Sequence, residues 1–361
     1  MSRKLSSSVR GVAAGLAALS AAVVAQPSAA AEKVTYAYAT NVSLSNAPSL
    51  MAFGMGYFKE EGLDVEVTFF QGASVMLPQI IQKHITFGWI NSNAMIMAAQ
   101  PGRDLMPARQ FYNGIYKSSY EIMVPENSPL KTLDDLKGKK IGVGAMSWAN
   151  VPVTKSMLKD LGMELARDYQ LLPVGIGAPA LRALQDGSID AINLFDTLHL
   201  QMEAAGQPLR RLPQSQKYDE LYSSGWMAHN DTLRDRPDLV VKFARAAAKG
   251  VVACNANPRA CVENFWQMYP AAKPSQGTEE QKMNDALKAL QVRLDSMIPA
   301  GGVSKMGYFT DEGWNNYVDV LHAGGVLKVD KLPVDVMYTN DFVAKINDFD
   351  VAAVEAAAKA K

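Results

Sequence analysis

The sequence predicts an α/β protein with two domains. Short apolar or alternating runs, bounded by Gly, Pro and polar residues, alternate along the chain with helical patterns, as in sheets covered by helices. The composition is that of a globular protein, since 48% of the 361 residues are apolar and 20% are charged. Roughly 330 residues follow an N-terminal segment, which is enough for two domains of about 150 residues with their own cores.

That N-terminal segment, residues 1–31, has the pattern of a secretory signal peptide. Three basic residues precede the apolar run GVAAGLAALSAAVVA at 11–25, and small residues follow at Ala29 and Ala31. The run is shorter than the roughly 20 apolar residues that span a bilayer, which disfavours a membrane anchor. We therefore expect cleavage before Glu32 and export. Removing three of the 36 basic residues leaves 33 against 36 acidic ones, so no general affinity for nucleic acid or anionic lipid is expected.

Six strands are predicted in chain order from short apolar or alternating runs, at 34–39, 63–70, 85–90, 139–145, 169–174 and 189–195. Helical spacing of apolar residues predicts helices between them, at 47–62, 73–84, 150–162 and 179–187. A Pro-rich stretch at 124–138 opens a second strand–helix–strand unit that ends near 208–214, so two α/β lobes are expected. After Asp231 the pattern is helical, and the tail VEAAAKAK is expected to be frayed or a loosely held helix.

The two cysteines, Cys254 and Cys261, are separated by NANPRA, whose proline breaks any single helix through both. In an oxidising compartment they could form a disulfide across a helix–turn–helix corner. Two buried free thiols are the alternative. Neither cysteine has a histidine close to it in sequence, so neither is expected to be catalytic.

A search for catalytic, metal and cofactor motifs predicts none of these sites. The four histidines form no metal-ligand spacing; His199 and Glu203 lie four apart on a predicted helix, but a solvated helix face is favoured because no third ligand is evident. The turn GVGAMS at 142–147 ends in Ser where the dinucleotide fingerprint has a third glycine. We therefore expect no catalytic residue, no metal and no cofactor.

The strand-to-helix turns are rich in small polar residues, at 40–46, 71–74, 90–94, 145–150 and 195–197. Turns at the carboxyl ends of parallel strands converge on one crevice. Backbone N–H groups at helix starts, together with Ser, Thr and Asn side chains, suit a carboxylate, a sulfonate or another polar ligand group. Simple helix capping is the alternative at each turn.

Three segments resemble the solute-binding proteins of the nitrate, sulfonate and taurine class of ABC importers, a class that includes binders of the thiamine pyrimidine precursor. They are APSLMAFGMGYFKEEGLDVEVTFFQGA at 47–73, SPLKTLDDLKGKKIGVGAMSWANVPVTKSMLKDLGM at 128–163, and PALRALQDGSIDAINLFDTLHLQMEAAG at 179–206. The resemblance implies a type II periplasmic-binding-protein fold, in which two α/β lobes are joined by a two-strand hinge. It places lobe 1 at 33–118 plus 225–361, lobe 2 at 119–224, and the hinges near 118–121 and 222–227.

The resemblance also implies ligand contacts from four of the polar turns, through Thr40, Asn41, Ser43, Asn91, Ser92, Asn93, Ser147, Trp148, Asn150 and Asp196. Trp148 could stack on a flat ligand or pack beside Trp226 in the core. Asp196 could accept a hydrogen bond from the ligand or cap the following helix. No Arg or Lys lies in these turns, and Arg109, Lys117 and Arg182 are the nearby cations.

The implied function is a periplasmic solute-binding component of an ABC importer. It would capture a small polar organic ligand, of the sulfonate, aromatic carboxylate or heterocycle class, and deliver it to a permease and its ATPase. The protein is expected to act as a monomer without membrane insertion. Two alternatives stay open, an enzyme on the same fold of the pyrimidine-precursor or menaquinone-pathway type, and a ligand-sensing partner of a receptor.

Overall fold

The computed structural model describes residues 30–102, 105–299 and 301–361. The predicted signal peptide lies outside the described residues except for its last two. None of the helices in these ranges has both the length and the apolar character that crossing a bilayer requires.

Ten strands are found in the described ranges: β1 (Glu32–Tyr38), β2 (Leu63–Phe69), β3 (Phe87–Asn91), β4 (Ala108–Asn113), β5 (Ile122–Pro125), β6 (Lys140–Val143), β7 (Gln170–Pro173), β8 (Ala191–Asn193), β9 (Leu209–Arg211) and β10 (Ser224–His229). They form two five-stranded sheets, with the orders β2-β1-β3-β10-β4 and β7-β6-β8-β5-β9. In the first sheet β1 is parallel to β2 and β3, and β10 is antiparallel to β3 and β4. In the second, β6 is parallel to β7 and β8, and β5 is antiparallel to β8 and β9. The chain thus passes from one sheet to the other twice, which confirms the two-lobed α/β class.

The α-helices are α1 (Ala47–Met55), α2 (Tyr57–Glu60), α3 (Ala73–Ile81), α4 (Asn93–Ala98), α5 (Asn150–Lys159), α6 (Ala178–Gln185), α7 (Asp196–Ala204), α8 (Gln216–Asp219), α9 (Asn230–Asp235), α10 (Pro237–Ala256), α11 (Pro258–Met268), α12 (Glu279–Met297), α13 (Asp311–Ala323), α14 (Val343–Ile346) and α15 (Val351–Lys359). Each of the six predicted strands and four predicted helical segments overlaps an observed element. The sequence did not predict β4, β5, β9 and β10.

Helix α10 forms the centre of the core beside the first sheet. Phe243 stacks on Phe87 of β3 with ring centroids 4.2 Å apart, and both side chains are fully buried. Helix α1 crosses α10 so closely at Gly250 that a Cβ there would lie 2.7 Å from the backbone nitrogen of Ala52. Glycine is therefore required at position 250 for this packing.

Helix α12 begins at a capping box. The side chain of Thr278 accepts a hydrogen bond from the N–H of Gln281, and the side chain of Gln281 accepts one from the N–H of Thr278. Helix α12 packs against α7, and α13 packs against α5. The C-terminal helices therefore contact the helices of the second sheet as well as the first.

The C-terminal tail is a packed helix, so the prediction of a frayed or loosely held end was wrong. Val354 and Ala358 of α15 are buried against α10. The side-chain N–H of Asn257 donates to the carbonyl of Ala358 at 2.9 Å. Close by, Cys254 and Cys261 form a disulfide that links α10 to α11.

Candidate functional site

Two adjoining cavities lie between the sheets, and we call their combined space the cleft. Both cavities are lined by Thr40, Trp89, Tyr120, Phe195 and Ser224. The first is also lined by Ala39, Ala73, Asn91, Trp148 and Ala149, and the second by Ser45, Asn46, Ile115, Ser119, Ser223 and Arg293. Thr40 and Asn91 stand at the carboxyl ends of β1 and β3, while Trp148 and Phe195 follow β6 and β8. The ends of parallel strands from both sheets therefore meet at the cleft, as their turns predicted.

Two hydrogen bonds join the rims of the cleft, and we call them the closing contacts. Asn93 Nδ2, on α4, donates to the carbonyl of Ala149 at 2.7 Å, and Ser147 Oγ donates to the carbonyl of Gln71 at 2.7 Å. At the second contact, a Cβ on Gly72 would lie 2.5 Å from Ser147 Oγ, so only glycine permits this approach.

The cleft is narrow in this structure. Each cavity has a volume of about 30 Å³, which is room for about two water molecules. An organic ligand needs several times that volume. A ligand of that size therefore does not fit the cleft in this conformation.

Aromatic side chains form much of the cleft wall. Trp148 and Phe195 stack with centroids 5.5 Å apart and an interplanar angle of 28°. Gly144 lies beneath the Trp148 ring, because a Cβ there would be 2.4 Å from a ring carbon. Packing of Trp148 beside Trp226 was a wrong alternative: Trp226 packs instead on Tyr112, with centroids 4.5 Å apart. Trp148 is thus placed where it can contact a ligand.

Asn91 connects polar groups from both sides of the cleft. Its Nδ2 donates to the hydroxyl of Tyr120 at 3.1 Å, and its Oδ1 accepts from the N–H of Asn93 at 3.0 Å. Burial raises the pKa of Tyr120, so its hydroxyl stays protonated at physiological pH. The pair presents a neutral hydrogen-bonding surface beside the aromatic rings.

The cleft contains one cation that sequence reasoning missed, Arg293. It projects from α12 and is 2% exposed. Its Nη2 donates to Asp196 Oδ1 at 2.5 Å, whereas its Nε and Nη1 are buried without a hydrogen-bond partner. Thr40 Oγ1 is also buried and unpartnered. Three buried donor atoms on two side chains thus lack an acceptor at the cleft.

Asp196 is occupied by partners within the protein. Its Oδ1 accepts from Arg293 and from the N–H of Thr197, the latter at 2.8 Å, and its own N–H donates to the carbonyl of Ser119 at 2.9 Å. Burial raises the pKa of Asp196, and the charge of Arg293 opposes this shift. Asp196 lines neither cavity, and it affects the cleft by positioning Arg293.

Asn93 and Ser147, which make the closing contacts, do not line either cavity, and neither do four further predicted site residues, Asn41, Ser43, Ser92 and Asn150. The N–H of Ser43 donates to Asn46 Oδ1 at 2.9 Å, and Ser92 Oγ donates to Gln110 Oε1 at 2.9 Å. Asn150 Nδ2 donates to the carbonyl of Asn193. The Ser43 bond belongs to a capping box, which is the capping alternative stated for such turns. Ser92 and Asn150 make no side-chain cap and bond instead to residues of β4 and β8.

The other cations considered from sequence lie elsewhere. Arg109 Nε donates to Asn230 Oδ1 at 3.0 Å, and neither Lys117 nor Arg182 lines a cavity. The signal for Arg293 was present but indirect, since it occupies the apolar stripe of α12 together with Leu290 and Met297. A cation at such a position is seldom buried without a role.

His199 is buried, so the prediction that it lies on a solvated helix face was wrong. Its Nε2 accepts from the N–H of Leu194 at 3.0 Å, and burial lowers its pKa to about 3. In the part of the chain that the structure describes, no group of three or more His, Cys, Asp or Glu side chains is arranged to hold a metal ion.

Comparisons with known proteins give one family match. The family model described as NMT1/THI5 like matches residues 44–261. The riboflavin-binding protein RibY of Chloroflexus aurantiacus is 23% identical over 324 residues, 88% of each chain. A solved structure from Bordetella bronchiseptica has a TM-score of 0.68 at 20% identity and covers 88% of this chain and 97% of its own. The alkanesulfonate-binding protein SsuA of Xanthomonas axonopodis pv. citri, bound to MOPS, has a TM-score of 0.63 at 15% identity and covers 85% and 98%.

Proposed function

The chain belongs to the NMT1/THI5-like family, and from this premise we propose that it is the periplasmic solute-binding component of an ABC importer. It captures a small organic ligand in the cleft and delivers it to a membrane permease driven by its ATPase. The observation that carries the proposal is the cleft itself, to which both sheets contribute aromatic and polar side chains. The names of the relatives, riboflavin-binding and alkanesulfonate-binding, support a binding role.

The proposed ligand belongs to the sulfonate, aromatic carboxylate or heterocycle class. The Trp148–Phe195 stack, with Trp89 and Tyr120 beside it, supports a ligand with a flat part. The hydroxyls of Ser224 and of Tyr120, which accepts from Asn91, can hydrogen-bond to polar atoms of such a ligand.

The proposed mechanism is closure of two lobes, at 33–118 plus 225–361 and at 119–224, about hinges near 118–121 and 222–227. A ligand that touches both lobes stabilises the closed form, and a shift from 1:99 to 99:1 requires about 10⁴-fold tighter binding to it. Of the ten residues expected at the site, Thr40, Asn91 and Trp148 line the cleft, and Asn93 and Ser147 make the closing contacts. Asp196 contributes by holding Arg293.

The proposal includes export to the periplasm, action as a monomer, and no catalytic step. Export is supported by the signal-peptide pattern at 1–31. The absence of a catalytic step is supported by relatives that are named as binding proteins. Neither a cofactor nor a nucleic acid partner is part of it.

The test is a thermal-shift screen of the chain from Glu32 onward against sulfonates, aromatic carboxylates, pyrimidines, riboflavin, nitrate and amino acids, followed by calorimetry. A ligand at 100 times its Kd should stabilise the fold by roughly 2.7 kcal/mol. For Trp148→Ala, the rise in Tm on adding that ligand is measured from the ligand-free Tm of the variant. This rise should be smaller than that of the wild type. The control is Tyr308→Ala, since Tyr308 is exposed and lines neither cavity. A well-folded protein that binds none of these compounds would contradict the proposal.

A further inference from the structure

We infer that Arg293 and Thr40 form an oxyanion-binding subsite of the cleft and that the ligand presents a carboxylate or sulfonate group to it. The inference rests on the proposed solute-binding function and narrows its ligand class. It assigns specificity to a helix, α12, that lies outside the strand-to-helix turns.

Arg293 has hydrogen-bond donors without acceptors. The side chain is 3% exposed, and only its Nη2 has an acceptor, Asp196. Its Nε and Nη1 are buried without a partner. A guanidinium stays charged inside proteins and has donors but no acceptors, so each buried N–H without an acceptor destabilises the protein. These two nitrogens, which carry three N–H groups, therefore call for an acceptor group at this position.

Thr40, in the turn after β1, gives an independent observation on the side of the cleft formed by the first sheet. Thr40 Oγ1 is buried without a partner, and Thr40 lines the same cavity as Arg293. Among the described residues that have buried unpartnered side-chain atoms, these two are the ones that line the cleft. A threonine hydroxyl has one O–H to donate. An oxygen-rich anion can accept from both side chains at once.

Asp196 neutralises the charge of Arg293 in part, so a bound ligand anion would place one cation between two anions. Charge-assisted hydrogen bonds to a guanidinium are about twice as strong as neutral ones, which offsets this repulsion. Ser119 and Ser223 line the same cavity and share one hydrogen bond, so one of their two hydroxyls can supply a further neutral donor, while Ser45 bonds to Ser43.

The subsite adjoins the aromatic wall of the cleft. Phe195 and Tyr120 line both the cavity that contains Arg293 and the cavity that contains Trp148. A ligand can therefore place a ring against the wall while its anionic group reaches Arg293. The inferred ligand is an aromatic or heteroaromatic ring that bears one oxyanion.

The test uses calorimetry with benzoate, benzenesulfonate and the neutral analogue benzamide as probes. For the wild-type protein, benzamide should bind at least tenfold more weakly than either anion, a difference of about 1.4 kcal/mol. Thr40→Val removes one donor and leaves the Asp196–Arg293 pair intact. It should weaken binding of both anions about tenfold and change benzamide binding by less than threefold.

A second variant removes the cation without leaving an unpaired buried charge. Asp196→Asn combined with Arg293→Gln should weaken anion binding more than tenfold, again with little effect on benzamide. Arg109→Gln is the matched control, since Arg109 contacts Asn230 away from the cleft, and it should bind all probes like the wild type. Binding to the wild type and to the variants is also compared for the anion and the neutral compound of the thermal-shift panel that bind with the lowest Kd.

The outcomes separate the inference from the function on which it rests. If neutral compounds alone bind, or if both cleft variants bind anions like the wild type, the oxyanion subsite is wrong although the solute-binding function stands. If a folded protein binds no probe and no panel compound, the proposed function fails and the subsite fails with it.

Discussion

Asp196 on α7 and Arg293 on α12 form an ion pair that is almost fully excluded from solvent, with side-chain exposures of 11% and 3%. The pair joins α7, which connects β8 to β9 of the second sheet, to a helix of the C-terminal third. Neither charge has a second charged partner within salt-bridge distance among the described residues. The pair therefore makes the stability of this contact sensitive to the loss of either partner.

Asp196→Ala is expected to lower the free energy of unfolding by about 3 kcal/mol, because it leaves a buried guanidinium without its counter-charge. The double change Asp196→Asn with Arg293→Gln should destabilise less, since no buried charge is left unpaired. Urea unfolding followed by tryptophan fluorescence measures both. Asp235→Ala is the control: it breaks an exposed pair with Arg234 and should leave the transition unchanged. Equal transitions for Asp196→Ala and the wild type would contradict a buried pair.

The protein is expected to lose stability as the pH falls from 6.5 towards 3, in part because of His199. Burial lowers its folded-state pKa to about 3, whereas an unfolded histidine titrates near 6.5. Between these values the unfolded state binds more protons, so the free energy of unfolding rises with pH. At pH 5 the loss from this residue is about 2 kcal/mol relative to pH 7.

Unfolding curves of the wild type and of His199→Gln at pH 7 and pH 5 measure this contribution. A glutamine oxygen can still accept from the N–H of Leu194, but it does not titrate. The variant should therefore have a smaller loss of stability at pH 5 than the wild type. An identical pH dependence for the two proteins would show that His199 is not buried in its neutral form.

The closing contacts are expected to favour the compact form of the ligand-free protein. Asn93→Ala combined with Ser147→Ala removes two hydrogen bonds, each worth about 1 kcal/mol net. The double variant should therefore have a larger radius of gyration by small-angle X-ray scattering and a faster dissociation of bound ligand. Ser92→Ala is the matched control, because Ser92 bonds to Gln110 on the same side of the cleft. If both variants scatter like the wild type, the two hydrogen bonds do not hold the cleft closed.

The Cys254–Cys261 disulfide is expected to contribute about 2 kcal/mol to stability, at the lower end of the usual range because the loop it closes is short. Replacing both cysteines by alanine should lower the midpoint of urea unfolding by a corresponding amount. A reductant should shift the wild type in the same direction and leave the double variant unchanged. A reductant-sensitive double variant would show that the shift comes from another source.

Local patterns in the sequence were sufficient for β1, β2, β3, β6, β7 and β8, because each is an apolar or alternating run bounded by turn residues. They failed for β10, whose sequence SGWMAH has no clear alternation. Its partners β3 and β4 lie more than 100 residues earlier in the chain, so this strand exists through long-range pairing. Propensity within a short window carries no information about such pairing.

The residues of the candidate site also divide into those that local sequence patterns predict and those that depend on long-range contacts. The turns after β1, β3 and β6 could be recognised from sequence, and they place Thr40, Asn91 and Trp148 at the cleft. Which polar residue of a turn faces the cleft and which one bonds to a neighbouring strand depends on the register of the turn, so Ser92 and Asn150 could not be separated from their neighbours. Arg293 reaches the cleft only because α12 packs against α7, which is a tertiary contact.

The acceptors of both closing contacts, at Gln71 and Ala149, are main-chain carbonyls. Substitutions of those two side chains that preserve the local backbone leave the acceptors in place. These two hydrogen bonds are thus independent of the side chains at positions 71 and 149, whereas the Asp196–Arg293 pair joins the two sides through a residue of the inferred subsite. The scaffold therefore suits reengineering as a biosensor: the lining away from that pair can be redesigned for a new analyte, while a dye at the exposed Met146 reports the proposed closure.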